Sequence, residues 1–274
     1  MLTLIGPLGS LLRVHHLNCG DVTMPGLTAV THVLACEYQH GIVMVDVGIG
    51  RGDARHPFRR IGLSGRLMYP HLQQQRPAVQ QLNDLGLDPA DTVAIVATHL
   101  DFDHMGGVGD FPLSTPVLVA ADEQAAAYAR STVRERMRYR PAHLAELAYR
   151  ARSVEVADAT TLPVGLAGTP LDDQETLWLL PLHGHTRGHC AVGIRTSQGW
   201  LIHAGDAFFS RASVDRGAHR GVQHRIASGL EQVMAMNRRV LADNHRTLRL
   251  AAADAVVICS HDKRQFREMT QARL

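Results

Sequence analysis

Lysine is almost missing from this sequence: only Lys263 stands among 28 basic residues, and the skew carries no functional meaning by itself. Long apolar runs are also absent. None approaches the ~18–20 residues needed to span a bilayer, which excludes a helical membrane protein. Charge of one sign is lacking too. A net charge of +2 with histidine neutral is too small to point to a nucleic-acid partner. Cysteine is sparse, and Cys19, Cys36, Cys190 and Cys259 form no C-x-x-C pair. They read as reduced, mostly buried thiols of a cytoplasmic protein, not as a disulfide framework. Neither G-x-S-x-G nor H-E-x-x-H occurs, so serine-hydrolase and zincin chemistry have no support. The apolar N-terminus has no basic leader and is interrupted by Gly6-Pro7, so no signal peptide is expected.

Histidine, by contrast, is plentiful: 17 in 274 residues, for a side chain whose special uses are metal binding and proton transfer. Apolar residues make up 45% and charged residues 20%, enough for a substantial core.

Strand-like segments fall at 11–18, 29–38, 42–47, 91–97, 117–120, 176–182, 190–196, 199–204 and 255–258. The runs at 42–47 and 91–97 are apolar and β-branched, as in strands buried on both faces. Helices are expected at 77–86, 121–129, through the basic stretch 130–152 with a break at Pro141, and at about 226–242. Residues 52–76 read as a long irregular loop or lid. Gly48–Gly52 lacks the full G-x-G-x-x-G pattern and is dismissed as a dinucleotide loop. Strand clusters separated by helices in both halves imply two αβ halves packed sheet on sheet.

The segment His99-Leu100-Asp101-Phe102-Asp103-His104 places four metal-capable groups within six residues, directly after a buried strand. In an extended segment alternate residues share a side, so His99, Asp101 and Asp103 can converge, with His104 joining from the turn before Gly106-Gly107. A polar helix-capping loop is the plain alternative. Gathering these groups is costly, however, unless a cation offsets their repulsion and desolvation. Imidazole with carboxylate suits zinc, iron or manganese. The same form, a ligand-type residue at a strand end, recurs at His183-Gly184-His185-Thr186-Arg187-Gly188-His189, at Asp206 and at His261.

These motifs resemble the metallo-β-lactamase-fold hydrolases, whose signature is H-x-H-x-D-H, a distant histidine in an H-T-x-G-H context, a G-D after an apolar strand and a C-terminal histidine. The resemblance runs in order from about residue 30 to 262 and includes a V-D-x-G-like element, Val45-Asp46-Val47-Gly48. In length and spacing it is most similar to the lactonase-type branch. It implies one α/β (α+β) domain over 1–274, a four-layer αββα sandwich of two mixed sheets flanked by helices. It also implies two divalent ions, zinc first, held by His99, Asp101 and His189 on one side and by Asp103, His104 and His261 on the other, with Asp206 bridging. A hydroxide shared by the metals would attack the substrate, and Asp103 would orient it.

Two departures matter. Asp101 stands where most of the family has histidine, and the harder carboxylate opens the way to iron or manganese. Phe209 stands where acyl-homoserine lactonases carry a tyrosine that helps polarise the lactone carbonyl.

Other residues are expected to be structural. His185 should stabilise its turn, Asp46 should hydrogen-bond the ligands, His203 should be a satisfied core histidine, and Asp262 should cap locally. His15 and His16 should also be structural. Arg130, Arg134, Arg136, Arg138 and Arg140 should form a solvated face, with a rim for anionic substrates as the alternative. Residues 207–225 are expected to line the pocket with arginines that could read a carboxylate.

The leading expectation is hydrolysis of small esters or lactones, anionic ones included, without nucleic-acid or membrane partners. A phosphodiesterase or thioesterase on the same site is the alternative. A non-catalytic, metal-stabilised binding protein is the reading from another class. It would not require all seven positions to carry metal-capable groups.

Overall fold

A computed structural model describes residues 4–271, apart from 25, 70 and 157–159. Two six-stranded sheets form its centre. The first runs β1 (Leu11–Met24), β2 (Leu27–Tyr38), β3 (Gly41–Val45), β4 (Thr92–Val96), β5 (Val117–Ala120), β6 (Ala151–Val154) in spatial order. The second runs β12 (Ala255–Ile258), β11 (Gly199–His203), β10 (Cys190–Thr196), β9 (Leu177–Pro181), β8 (Ala167–Pro170), β7 (Thr160–Thr161). Both sheets are mixed. β1 to β3 pair antiparallel and β3 to β6 parallel, whereas β11 and β12 pair parallel and the rest of the second sheet antiparallel.

Side-chain alternation explains the layers. In β3, Val43 and Val45 join the core between the sheets with Leu177, Leu179, Val192, Ile194 and Leu201. Their neighbours Ile42 and Met44 face outward, where Val79, Leu82, Leu144 and Leu147 cover them. On the far side Leu180, Ile202 and Val257 pack against Leu248 and Ala251 of the Arg238–Ala251 helix. A strand buried on both faces must be apolar along its buried length, and β3 is so throughout. The result is the expected αββα stack.

Three expectations need correction. Residues 52–76 are not an irregular loop: they form the short helices Arg51–Arg55, Pro57–Arg60 and Gly62–Met68 and a 3-10 turn at Leu72–Gln74. None exceeds two turns, so no hydrophobic period can develop. Long-range polar contacts hold the segment. Asp53 accepts from Arg60 and His143, both at 2.8 Å, and Arg60 also binds both carboxylate oxygens of Glu146. The expected 226–242 helix is two, Val222–Met234 and Arg238–Ala251. Asn237 caps the second by accepting from the Arg239 and Val240 amides. The basic stretch 130–152 is helical on both sides of the expected break at Pro141, in Val133–Arg138 and Pro141–Leu147, but its end leaves the helix and enters β6.

The four cysteines are free and buried. Among the described residues no helix is long and apolar enough to cross a membrane.

Candidate metal centre

β3 and β4 are parallel neighbours, as are β11 and β12, so each pair sends its carboxyl ends to the same edge. The chain leaves those ends at Asp46, Thr98-His99, Asp206 and His261. Strand carboxyl ends are where open α/β sheets place their ligands.

Asp46 sits just past β3 in the left-handed region, with φ 58°. One carboxylate oxygen accepts from the Thr98 amide at 2.8 Å; the other accepts from the Thr98 hydroxyl and from His104 Nδ1, each at 2.8 Å. His99 Nδ1 lies 3.0 Å from the same Thr98 hydroxyl. With Thr98 donating to Asp46, the proton of this bond comes from Nδ1. Both imidazoles thereby turn Nε2 inward. A carboxylate or hydroxyl behind a histidine fixes its tautomer in this way. On the opposite face, His261 Nδ1 donates to the Val30 carbonyl at 2.8 Å.

Two groups of facing donors result. His99, Asp101, His185 and Asp206 bring ligand atoms within 4.8 Å of one another, as do Asp103, His104 and His261. Asp206 touches both. Its Oδ1 lies 3.2 Å from Nε2 of His104 and of His261, and its Oδ2 lies 3.3 Å from His185 Nε2 and 3.9 Å from His99 Nε2.

One expected position is not in either group. His189 directly precedes β10, and there its Nδ1 donates to the Leu182 carbonyl and its Nε2 accepts from the Asp206 amide, each at 2.9 Å. Both of its nitrogens are taken by backbone, so it holds Asp206 in place. His185, expected only to brace its turn, faces the cluster instead. Gly184 at φ 129° turns the chain there, and the Met236 and Asn237 amides, between two helices, donate to the His185 and Gly184 carbonyls. Buried Glu123 ties this turn to the first loop, accepting from the Thr186 hydroxyl at 2.6 Å and from the Leu100 amide at 2.9 Å.

Sequence reasoning also missed Tyr69 and Arg138. Tyr69 is fully buried in the helical segment after β3, and its hydroxyl donates to Asp103 Oδ2 at 2.9 Å. Arg138 is no part of a solvated face: its guanidinium pairs with Asp101 and lies 2.6 Å from His185 Nε2. Arg134 and Arg140 donate to the Ala235 and Arg60 carbonyls, while Arg134 and Arg136 are exposed, so the expected solvated face holds for part of this stretch and fails at Arg138. A lone arginine in a basic run leaves no sequence signal for such a role.

Phe209 packs edge-on to His261, with ring centroids 4.9 Å apart, and lies 5.8 Å from His185. Arg211 pairs with Asp215 and Glu268. A cavity of about 520 Å³ lies between the 207–225 loop and residues such as Asp262 and Arg264. His203 is a satisfied core histidine, and Asp262 caps the Arg264 and Gln265 amides, as expected.

The electrostatics follow from burial against neighbours. Burial works against a charge on His104, but the Asp206 and Asp46 carboxylates outweigh it and hold its pKa well above the ordinary value. Burial, then the Arg138 guanidinium, lowers His185 to about 4. Burial would raise Asp101, yet Arg138 and His99 keep it well below the carboxylate range.

The residues present fit divalent cations. Nε2 of His99 and His104 and Oδ1 of Asp101 and Asp206 are buried without a hydrogen-bond partner among the described residues. Buried atoms left so are costly unless something takes their lone pairs, and this imidazole–carboxylate set suits zinc, iron or manganese.

The sequence matches the metallo-β-lactamase superfamily over residues 30–261. A probable metallo-hydrolase of Mycobacterium tuberculosis is 36% identical over 260 residues, 93% of this chain and 81% of that one. Among solved structures, an N-acyl homoserine lactone hydrolase with N-hexanoyl-L-homoserine at its catalytic metal center superposes with a TM-score of 0.62 at 20% identity, covering 94% of this chain and 96% of the other. A probable metal-dependent hydrolase from Staphylococcus aureus superposes with a TM-score of 0.68 at 15% identity, covering 94% and 91%. At those identities the two structures speak for the fold alone. The family match and the mycobacterial relative carry the assignment: this chain belongs to the metallo-β-lactamase superfamily and is a metallo-hydrolase of that family.

Proposed function

We propose that the chain hydrolyses small esters or lactones at a dinuclear centre, with zinc the first choice of metal and iron or manganese the alternatives that Asp101 opens. One position would be held by His99, Asp101 and His185, the other by Asp103, His104 and His261, with Asp206 shared. The observation that carries this reading is the Asp206 carboxylate, which reaches both donor groups: its Oδ1 lies 3.2 Å from Nε2 of His104 and of His261, and its Oδ2 lies 3.3 Å from Nε2 of His185 and of His261. His185 replaces His189 in the assignment because both His189 nitrogens serve backbone groups. We propose further that residues 1–274 form one domain.

When bound, a metal pair lowers the pKa of a shared water and polarises the scissile oxygen. The chain's residues supply the rest. Asp46 and Thr98 orient the imidazoles of His104 and His99. Tyr69 holds Asp103, which would position the attacking water. Phe209, with Leu27, Ala227, Ile226, Leu230 and Met234, forms an apolar cluster beside the histidines that would receive the apolar part of a substrate and limit bulk water.

The test is turnover by metal-loaded protein on a panel of lactones, esters, thioesters and phosphodiesters, repeated after chelation. Lactone or ester turnover lost on chelation with the fold retained is expected. Preference for a phosphodiester or thioester would move the substrate class and leave the centre. No turnover of any class by metal-loaded protein would favour a binding protein.

A further inference from the structure

The two donor groups are not equivalent, and the difference is Arg138. This residue ends the Val133–Arg138 helix, and its side chain is 9% exposed. One terminal nitrogen donates to Asp101 Oδ2 and lies 2.6 Å from His185 Nε2; the other donates to the Met234 carbonyl at 2.8 Å. The same Asp101 oxygen lies 3.3 Å from His99 Nε2 and 3.2 Å from His185 Nε2, so it is the atom that faces the rest of its group. The guanidinium therefore takes a lone pair of Asp101 Oδ2 and that of His185 Nε2, leaving Asp101 Oδ1 and His99 Nε2 unpartnered in this group among the described residues. It has no lone pair to offer a metal, and it stays charged at any ordinary pH.

The second group meets no such rival. Its neighbours are the Tyr69 hydroxyl on Asp103, the Asp46 carboxylate on His104 and the Val30 carbonyl on His261. The Tyr69 hydroxyl takes one lone pair of Asp103 Oδ2 but brings no charge, and the other two orient their imidazoles toward a bound cation. Asp101 fits this asymmetry, since a carboxylate meets a guanidinium with opposite charge as well as a hydrogen bond, which a neutral imidazole cannot do.

We propose that Arg138 is a resident cation competing for the His99/Asp101/His185 position, so that the two metal positions fill unequally: Asp103/His104/His261 first and tightly, the other weakly and only as Arg138 withdraws. Arg138 is a positioning residue here, acting through Asp101 and His185. The inference rests on the dinuclear reading given above.

The experiment is titration of metal-stripped full-length protein with zinc against a chromophoric chelator, a readout independent of turnover. Wild type should bind two equivalents with affinities at least tenfold apart. Arg138→Met keeps the apolar stem and removes the charge; it should tighten the weaker equivalent roughly tenfold or more, the scale on which groups behind metal ligands act, and leave the tighter one unmoved. Arg138→Lys, which keeps a cation, should stay weak. Two equivalents of equal affinity in wild type would overturn the proposal, whether or not the variants fold. So would a weaker equivalent that Arg138→Met leaves unchanged, and either result would spare the dinuclear reading. Failure of wild type and variants to bind zinc at all would bring down that reading and the proposal together.

Discussion

Asp46 Oδ2 accepts a hydrogen bond from His104 Nδ1 at 2.8 Å, and its other oxygen holds the Thr98 amide at the same distance. One buried carboxylate thus sets the orientation of His104 and, through Thr98, of His99. Asp46→Ala should lower zinc affinity roughly 10–100-fold, as loss of groups behind metal ligands commonly does. Chelator competition measures this. An affinity within twofold of wild type would show that the imidazoles keep their orientation without Asp46.

His185 and His189 lie four residues apart, and their replacements should separate cleanly. His185→Ala removes an inward-facing Nε2 and should reduce bound metal towards one ion per chain. His189→Ala removes the acceptor of the Asp206 amide and the donor to the Leu182 carbonyl. It should cost about 1–3 kcal/mol of stability for the buried groups left unpaired, while retaining more metal than His185→Ala. Metal content by elemental analysis beside thermal unfolding decides it. The reverse pattern would restore His189 as the ligand.

That pair also shows where the sequence stops being readable. The strands at 42–47 and 91–97, and the clustering of His99, Asp101, Asp103 and His104 after one of them, follow from apolar runs and local spacing. A choice between two histidines in G-H-T-R-G-H depends on which one lies in the turn and which stands directly before β10. That is set by Gly184 and by the Met236 and Asn237 amides about fifty residues away. Tyr69 and Arg138 were illegible for a related reason. Each sits on a helix or helix end too short for a pattern, and reaches the centre only because long-range contacts carry that segment there. The long helix expected at 226–242 failed at Asn237, whose capping role competes with an otherwise continuous apolar period.

Tyr69→Phe removes a hydroxyl that bonds Asp103 at 2.9 Å and Thr31 at 3.2 Å inside a fully buried site. Stability should fall by about 1 kcal/mol, the usual net worth of such a bond. The kcat should fall more than KM changes, because Asp103 loses its fixed orientation while the apolar cluster is untouched. Steady-state kinetics on the preferred substrate would test this, and a change confined to KM would place Tyr69 at the substrate instead.

His16 Nδ1 lies 2.8 Å from His32 Nε2. Burial, then nearby His203, lowers the His16 pKa from 6.5 to about 4, and burial keeps His32 well below its ordinary value. The sign follows directly. Between pH 6.5 and 4 the unfolded chain binds protons at these histidines that the folded chain refuses, so folding stability drops as pH falls through that window. His16→Gln should flatten the slope of unfolding free energy against pH over this range. A slope identical to wild type would show that His16 titrates normally in the folded protein.

Phe209 puts an aromatic ring 4.9 Å from the His261 ring and 5.8 Å from that of His185, without a hydroxyl to offer. If the substrate is a lactone, its carbonyl oxygen must gain charge as the ring opens, and a hydrogen-bond donor there stabilises that charge more than the ground state. Phe209→Tyr adds such a donor at nearly constant volume. The kcat/KM for acyl-homoserine lactones should therefore rise about tenfold, a fraction of what a well-placed donor contributes, with simple aryl esters gaining less because their better leaving groups need less stabilisation. Paired measurements on one lactone and one aryl ester give the ratio directly. A ratio unchanged from wild type would mean that the added hydroxyl does not reach the scissile carbonyl, and that this chain orients its substrate differently from a lactonase.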